Sequence, residues 1–224
     1  MEQEINEMYT VFKNPLDSHF ASIKNIIDKS GVVSWEVEGN CLYHHCTLIE
    51  NEKCINKQKN LMYYGSNAKN ICEIGFNAGH SAIIMHINNT SVSPRKFTIF
   101  DIGRHKYTIP ALNFFRNTFS EVLVKYIEGN SLITLPNWIV SNPGLIGTYD
   151  LVHIDGGHDE ACIHNDMAIS VLLVSKGGFI IFDDAQIPSV VAICKLWIDS
   201  GYFRIAEQQL DTTGGQHIIL EKIK

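Results

Sequence analysis

Long apolar runs are missing from this chain of 224 residues. Its most hydrophobic stretch, Ile169 to Phe182, is broken by Ser175, Lys176, Gly177 and Gly178, so each half is too short for a membrane span of about 20 residues. Positive charge is short as well. Against 24 Asp and Glu stand 18 Lys and Arg, a formal net charge of −6. A surface that tracks nucleic-acid phosphates must neutralise many of them, so this balance favours a small-molecule partner over RNA or DNA. Residues 1–10 carry three glutamates and no apolar core, so no secretory or transit leader is expected and the chain is placed in the cytoplasm. The six cysteines, Cys41, Cys46, Cys54, Cys72, Cys162 and Cys194, lack the spacing of a disulfide scaffold and read as reduced structural thiols. Cys41, His44, His45 and Cys46 lack the spacing of paired zinc knuckles, and Tyr43 to His45 read instead as lid or pocket residues.

What is present suits a folded α/β protein. Hydrophobic residues make up 45% and charged residues 19%, and the length fits one domain with a substantial core. Residues 1–56 have mixed polarity, an amphipathic stretch near Phe20 to Ile27 and a short hairpin pattern around Gly39-Asn40, which together read as an N-terminal cap or lid. Lys57 to Asn60 read as a solvated helix start. Over 57–224 short apolar segments near 70–74, 96–100, 123–127, 150–154, 178–182, 202–208 and 216–222 alternate with helical patterns near 56–65, 79–88, 108–121, 160–174 and 187–200. That alternation is expected of βαβ units, hence a doubly wound, seven-stranded, mostly parallel sheet. The turn-rich Asp211 to Gly215 folds the last strand back antiparallel.

The chemistry concentrates at strand ends. Ile71-Cys-Glu-Ile-Gly-Phe-Asn-Ala-Gly-His-Ser-Ala82 runs from an apolar strand through Gly75 and Gly79 into a helix. In a doubly wound sheet this first turn lies where the strand order reverses, and a nucleotide-like ligand packs there against exposed backbone. The spacing E-x-G-x-x-x-G differs from the G-x-G-x-x-G of dinucleotide binders. Downstream, Asp101 ends the second strand, Gly129-Asn130-Ser131 follow the third, Asp155-Gly-Gly-His158 the fourth, and Asp183-Asp184 the fifth.

These motifs, in this order, resemble the class I S-adenosylmethionine-dependent methyltransferases, and Gly79-His80-Ser81 is similar to their catechol and sugar O-methyltransferase branch. The resemblance covers about residues 57–222 and implies a Rossmann-like methyltransferase fold. It implies cofactor contacts at Glu73, Gly75, Asn77, Ala78, Gly79, Ser81, Asp101, Gly129, Asn130, Ser131 and Asp155, with Asp101 accepting from the ribose hydroxyls and Asn130 standing where the family has an aspartate beside the adenine. It further implies a Mg²⁺ or Mn²⁺ ion on Asp155, Asp183 and Asp184, oxygen ligands that suit a hard cation. His158 stands where catechol-type members carry a catalytic lysine, as in the sugar-modifying branch, and with Asp155 forms the expected catalytic pair. The implied acceptor is a small hydroxylated molecule such as a sugar or glycan diol. Assembly into a homo-oligomer is left open.

Overall fold

The computed structural model describes residues 2–32, 52–89, 94–211 and 216–224. The expected hairpin at Gly39-Asn40 and the residues Cys41, Tyr43, His44, His45 and Cys46 lie outside them. The elements run α1 (Glu2–Lys29), α2 (Glu52–Ser66), β1 (Asn70–Ile74), α3 (His80–Ile87), β2 (Lys96–Asp101), α4 (Thr108–Thr118), β3 (Leu123–Glu128), α5 (Ser131–Ser141), β4 (Tyr149–Ile154), α6 (Glu160–Leu173), β5 (Val174–Asp183), α7 (Pro188–Asp199), β6 (Phe203–Ile205) and β7 (His217–Lys222).

All seven strands join one sheet in the order β3-β2-β1-β4-β5-β7-β6. β1 to β5 pair in parallel, and β7 inserts antiparallel between β5 and β6. The sequence expectation of a mostly parallel sheet with an antiparallel last strand holds. Because successive strand residues point to opposite faces, odd and even positions build two separate cores. Ile71, Phe97, Ile99, Leu151, Ile181 and Ile219 pack with α1, α2, α3 and α4. Cys72, Ile74, Phe100, Val152, Ile154, Ile180 and Leu220 pack with α5, α6 and α7. Strands covered on both faces read as continuous apolar runs, as these do.

Three helical features depart from the sequence reading. α1 extends far beyond the stretch near Phe20: Ile5, Tyr9, Leu16, Phe20, Ile23 and Ile27 form one buried stripe at helical spacing, and the helix continues through Pro15. α5 escapes the periodicity because Pro136 interrupts its pattern and only Leu135 is buried; its start is marked by Asn130, whose side chain caps the amide of Leu132. The third is Lys57 to Asn60, which are not solvated. Lys57 is 7% exposed, and Gln58 and Asn60 are wholly buried, because α2 lies across the carboxyl end of β5 and the amino end of the antiparallel β7 with this side turned inward. Among the described residues no helix is long and apolar enough to cross a membrane, and Cys54, Cys72, Cys162 and Cys194 are buried free thiols.

Candidate functional site

The parallel strands all deliver their carboxyl ends to one rim, and β1 and β4 flank the point where the strand order reverses. Here the glycine turn begins. Gly75 has φ +90°, and a Cβ on it would stand 1.8 Å from the carbonyl oxygen of Asp155, so the first glycine is required by the close approach of two backbones. Gly79 has φ +79°, and its missing Cβ leaves room for the Phe76 ring. Asn77 between them is also left-handed, at φ 52°.

Asp101 braces this turn. One carboxylate oxygen accepts from the amides of Phe76 at 2.8 Å and Asn77 at 2.7 Å, and the other accepts from Gly103 at 2.7 Å. The acid at the end of β2, expected to accept from ribose hydroxyls, is thus bound to the backbone of the glycine loop and of Gly103. Of the other expected cofactor contacts, Glu73 and Ser81 are buried and bonded to each other. Ala78 is packed in the core and Asn77 is partly exposed. Gly129 turns the chain out of β3 at φ 136°, and Ser131 opens α5 behind its Asn130 cap. Gly75, Asn77, Gly129 and Ser131 thus stand at the ends of β1 and β3, while Glu73, Ala78 and Ser81 are buried beneath them.

The acids of β4 and β5 do converge, but not as one simple triad. Ligand atoms of Asp155, His158 and Asp184 lie within 4.8 Å of one another, and so do those of His153, Asp155 and Asp183. Asp155 belongs to both groups. His158 Nε2 lies 2.8 Å from Asp184 Oδ2, and that bond, with the charges of Asp184, Asp155 and Asp183, raises the imidazole pKa above its ordinary value despite partial burial. Burial works against ionisation of Asp184 too, yet the bond to His158 holds its carboxyl below the usual range. Asp184 sits at φ 56°, a left-handed conformation that is uncommon for a side chain other than glycine and clusters at functional sites. It turns the chain so that two successive aspartates reach the same rim. Burial and the neighbouring charge of Asp183 raise Asp155.

Residues not anticipated from the sequence complete the picture. Lys57 reaches from α2 to ion-pair with Asp183 Oδ2, both side chains being almost wholly buried. Asn60, one turn on, donates to His217 Nε2 at 3.0 Å and clamps both backbone groups of Leu210. His217 pairs with Asp183 across the β5–β7 ladder. His153, fully buried, lies 3.3 Å from Glu73 Oε1. Burial would lower its pKa, but the bond to Glu73 and the charges of Glu73, Asp155 and Asp183 carry it above the ordinary value. A pattern of polar residues at odd strand positions, facing α2, was the available signal.

Oxygen donors in this number suit a hard cation in chemistry. Asp183, however, already holds an ammonium whose charge also acts on Asp155 and Asp184. With Lys57 so placed, the full set Asp155, Asp183 and Asp184 does not fit a divalent ion.

A seven-stranded sheet of this order, with a glycine turn and acids at the central strand ends, is the architecture of the class I S-adenosylmethionine-dependent methyltransferases. The profile of the family described as "Methyltransferase domain" matches residues 72–185, just over half of the chain, and the chain belongs to that family. Solved structures agree. The chain is similar to an O-methyltransferase described as putative from Klebsiella pneumoniae (TM-score 0.60, 15% identity, covering 96% of this chain and 94% of that one). It is similar as well to the O-methyltransferase of Bacillus cereus in complex with S-adenosylhomocysteine (0.60, 16%, 92% and 91%). A third is TomG, an O-methyltransferase of tomaymycin synthesis from Streptomyces achromogenes in complex with S-adenosylmethionine (0.57, 17%, 75% and 79%). At such identities the likeness carries the fold alone. No curated protein matches the sequence.

Proposed function

We propose that this protein transfers the methyl group of S-adenosylmethionine to a hydroxyl of a small acceptor, and we take a sugar or glycan diol as the acceptor class from the resemblance at His158. The observation that carries the reading is the His158–Asp184 pair at 2.8 Å, set at the rim beside the glycine turn. The cofactor lies over the ends of β1, β2 and β4, its nucleoside against Gly75 to Gly79, with the adenine end near Gly129 to Ser131. Asp101 serves it by fixing the loop and offers the one remaining lone pair of Oδ1 to the ribose.

His158 is the general base. In the neutral ring Nε2–H donates to Asp184, which leaves the Nδ1 lone pair to take a proton, the arrangement by which a carboxylate fixes a catalytic imidazole. The acceptor oxygen attacks the sulfonium methyl in line, the carbon–sulfur bond breaks, and its electrons remain on sulfur. Products are a methyl ether, S-adenosylhomocysteine and one proton on His158. Holding both reactants in line supplies much of the acceleration. Residues 1–56 are assigned to cover the acceptor, α1 giving that cap a rigid base by packing on α2, α3 and α4.

A second reading keeps a Mg²⁺ or Mn²⁺ ion, on Asp155, Asp184 and His158, and is favoured by the convergence of their ligand atoms. In it His158 is a ligand and not the base. Replacement separates the two. As base, His158→Ala lowers methyl transfer by about 10²- to 10⁴-fold while affinity for S-adenosylhomocysteine stays put, and the residual rate recovers at high pH in the presence of EDTA. A full rate in that variant removes the base assignment, and loss of wild-type activity in EDTA favours the metal.

A further inference from the structure

One lysine of α2 carries an inference of its own. Lys57 lies on the inward side of a helix that is pinned on both sides of it: Gln58 accepts from the Tyr9 hydroxyl at 2.6 Å, and Asn60 binds the backbone of Leu210 and the ring of His217. Residues 57 and 60 are one helical turn apart, and they meet Asp183 and His217, which face each other on adjacent strands. The ammonium is thus delivered by a fixed scaffold, with its side chain 8% exposed and that of Asp183 5% exposed. A lysine is seldom so buried unless paired. The second oxygen of Asp183 has no hydrogen-bond partner, and Asp183 shares a cluster with Asp155.

We infer that Lys57 is the resident cation of this cluster: its ammonium takes the place that a divalent ion would hold between the ends of β4 and β5, so that the site runs without metal. The cluster needs positive charge, since three aspartates at one rim repel one another in a poorly solvated setting. One fixed ammonium supplies it permanently. The same ammonium repels an incoming dication, and at close range in a half-buried site that repulsion is far larger than in water. An acceptor hydroxyl near Asp155 therefore has an ammonium of the protein itself, and not a metal ion, to offset the carboxylates around it. The inference rests on the methyl-transfer reading only for that last point.

Metal binding tests it apart from activity. Mn²⁺ is titrated into the full-length protein and its Lys57→Gln and Lys57→Arg variants, the free ion being followed by electron paramagnetic resonance. Wild type and Lys57→Arg should bind Mn²⁺ no tighter than the millimolar range, and Lys57→Gln should bind it at least about tenfold tighter, the gain disappearing when Asp155→Asn is added. Micromolar Mn²⁺ binding by the wild type that Asp155→Asn abolishes overturns the inference, and so does a folded Lys57→Gln with unchanged affinity. If Lys57→Gln does not fold, the wild-type titration with its Asp155→Asn control still decides. Calorimetry with S-adenosylhomocysteine on the same samples reports separately on the methyltransferase reading, which fails if no binding is seen while the Mn²⁺ result stands.

Discussion

Replacing Asp101 should damage the protein in two ways at once, and their ratio reveals how the residue works. Its carboxylate holds three backbone amides, those of Phe76, Asn77 and Gly103, at 2.7–2.8 Å. A hydrogen bond to a charged acceptor is worth about 1.5–3 kcal/mol net. Phe76 is buried and its amide has no easy replacement, whereas Asn77 and Gly103 are partly exposed and water recovers part of their loss. Asp101→Ala should therefore cost about 3–5 kcal/mol, a large part of a typical stability of about 5–15 kcal/mol. Asp101→Asn retains one acceptor oxygen and should cost about half as much. Urea unfolding reads this, and calorimetry with S-adenosylhomocysteine reads the ligand. If the acid acts through the loop, affinity falls at least about tenfold in step with stability. A carboxylate that served only the ribose would leave unfolding untouched while affinity dropped. An unfolding shift below about 0.5 kcal/mol for Asp101→Ala would refute the bracing role.

Further expectations concern the turn, the base and acid stability. Gly75→Ala should prevent folding or leave a loosely packed protein by circular dichroism, since its Cβ would fall 1.8 Å from the Asp155 carbonyl oxygen at a φ of +90°; a native-like variant that binds S-adenosylhomocysteine contradicts the geometry. Asp184 raises His158, so the rising limb of the pH–rate profile should lie above the ordinary histidine range, and Asp184→Asn should move it to lower pH; an unmoved limb rules out His158 as the base in contact with Asp184. His217 is held neutral, with its pKa lowered to about 3, chiefly by burial and also by the charge of Lys57. A histidine depressed in the folded state adds stability above its unfolded pKa and loses it as pH falls. From an unfolded value of about 6.5, the loss down to pH 5 is about 2 kcal/mol. His217→Gln should flatten the acid limb of stability, and an unchanged slope in chemical denaturation would count against the assignment.

The glycine turn and the strand-end aspartates were legible because both leave local marks: Gly75 and Gly79 punctuate the passage from an apolar strand to a helix, and short apolar strands end abruptly at Asp101, Asp155 and Asp183. The parallel pairing of β1 to β5 followed from the alternation of elements, whereas the strand order did not. Lys57 was not legible. In Asn-Lys-Gln-Lys-Asn the local composition is that of a solvated surface, and burial comes only from where α2 lands, on strands more than a hundred residues away. α1 and α5 were obscured by Pro15 and Pro136, each tolerated inside a helix whose other contacts hold it. His153 reads as an ordinary position in a strand, and its link to Glu73 depends on strand register, which no local pattern states.

The placement of β7 between β5 and β6 has a consequence for synthesis. A chain emerging from the ribosome can pair β1 to β5 as they appear, but the free edge of β5 stays open until residues 217–222 are made. Until then Asp183 has no His217 beside it, and Asn60 lacks the His217 ring that helps hold α2 in place. The rim is thus closed by segments that lie 126 to 157 positions apart in the sequence. Contacts of such separation form late in folding. A ribosome-stalled chain ending before β7 should keep an exposed β5 edge and recruit chaperones, and a competent catalyst appears only once β7 has been made.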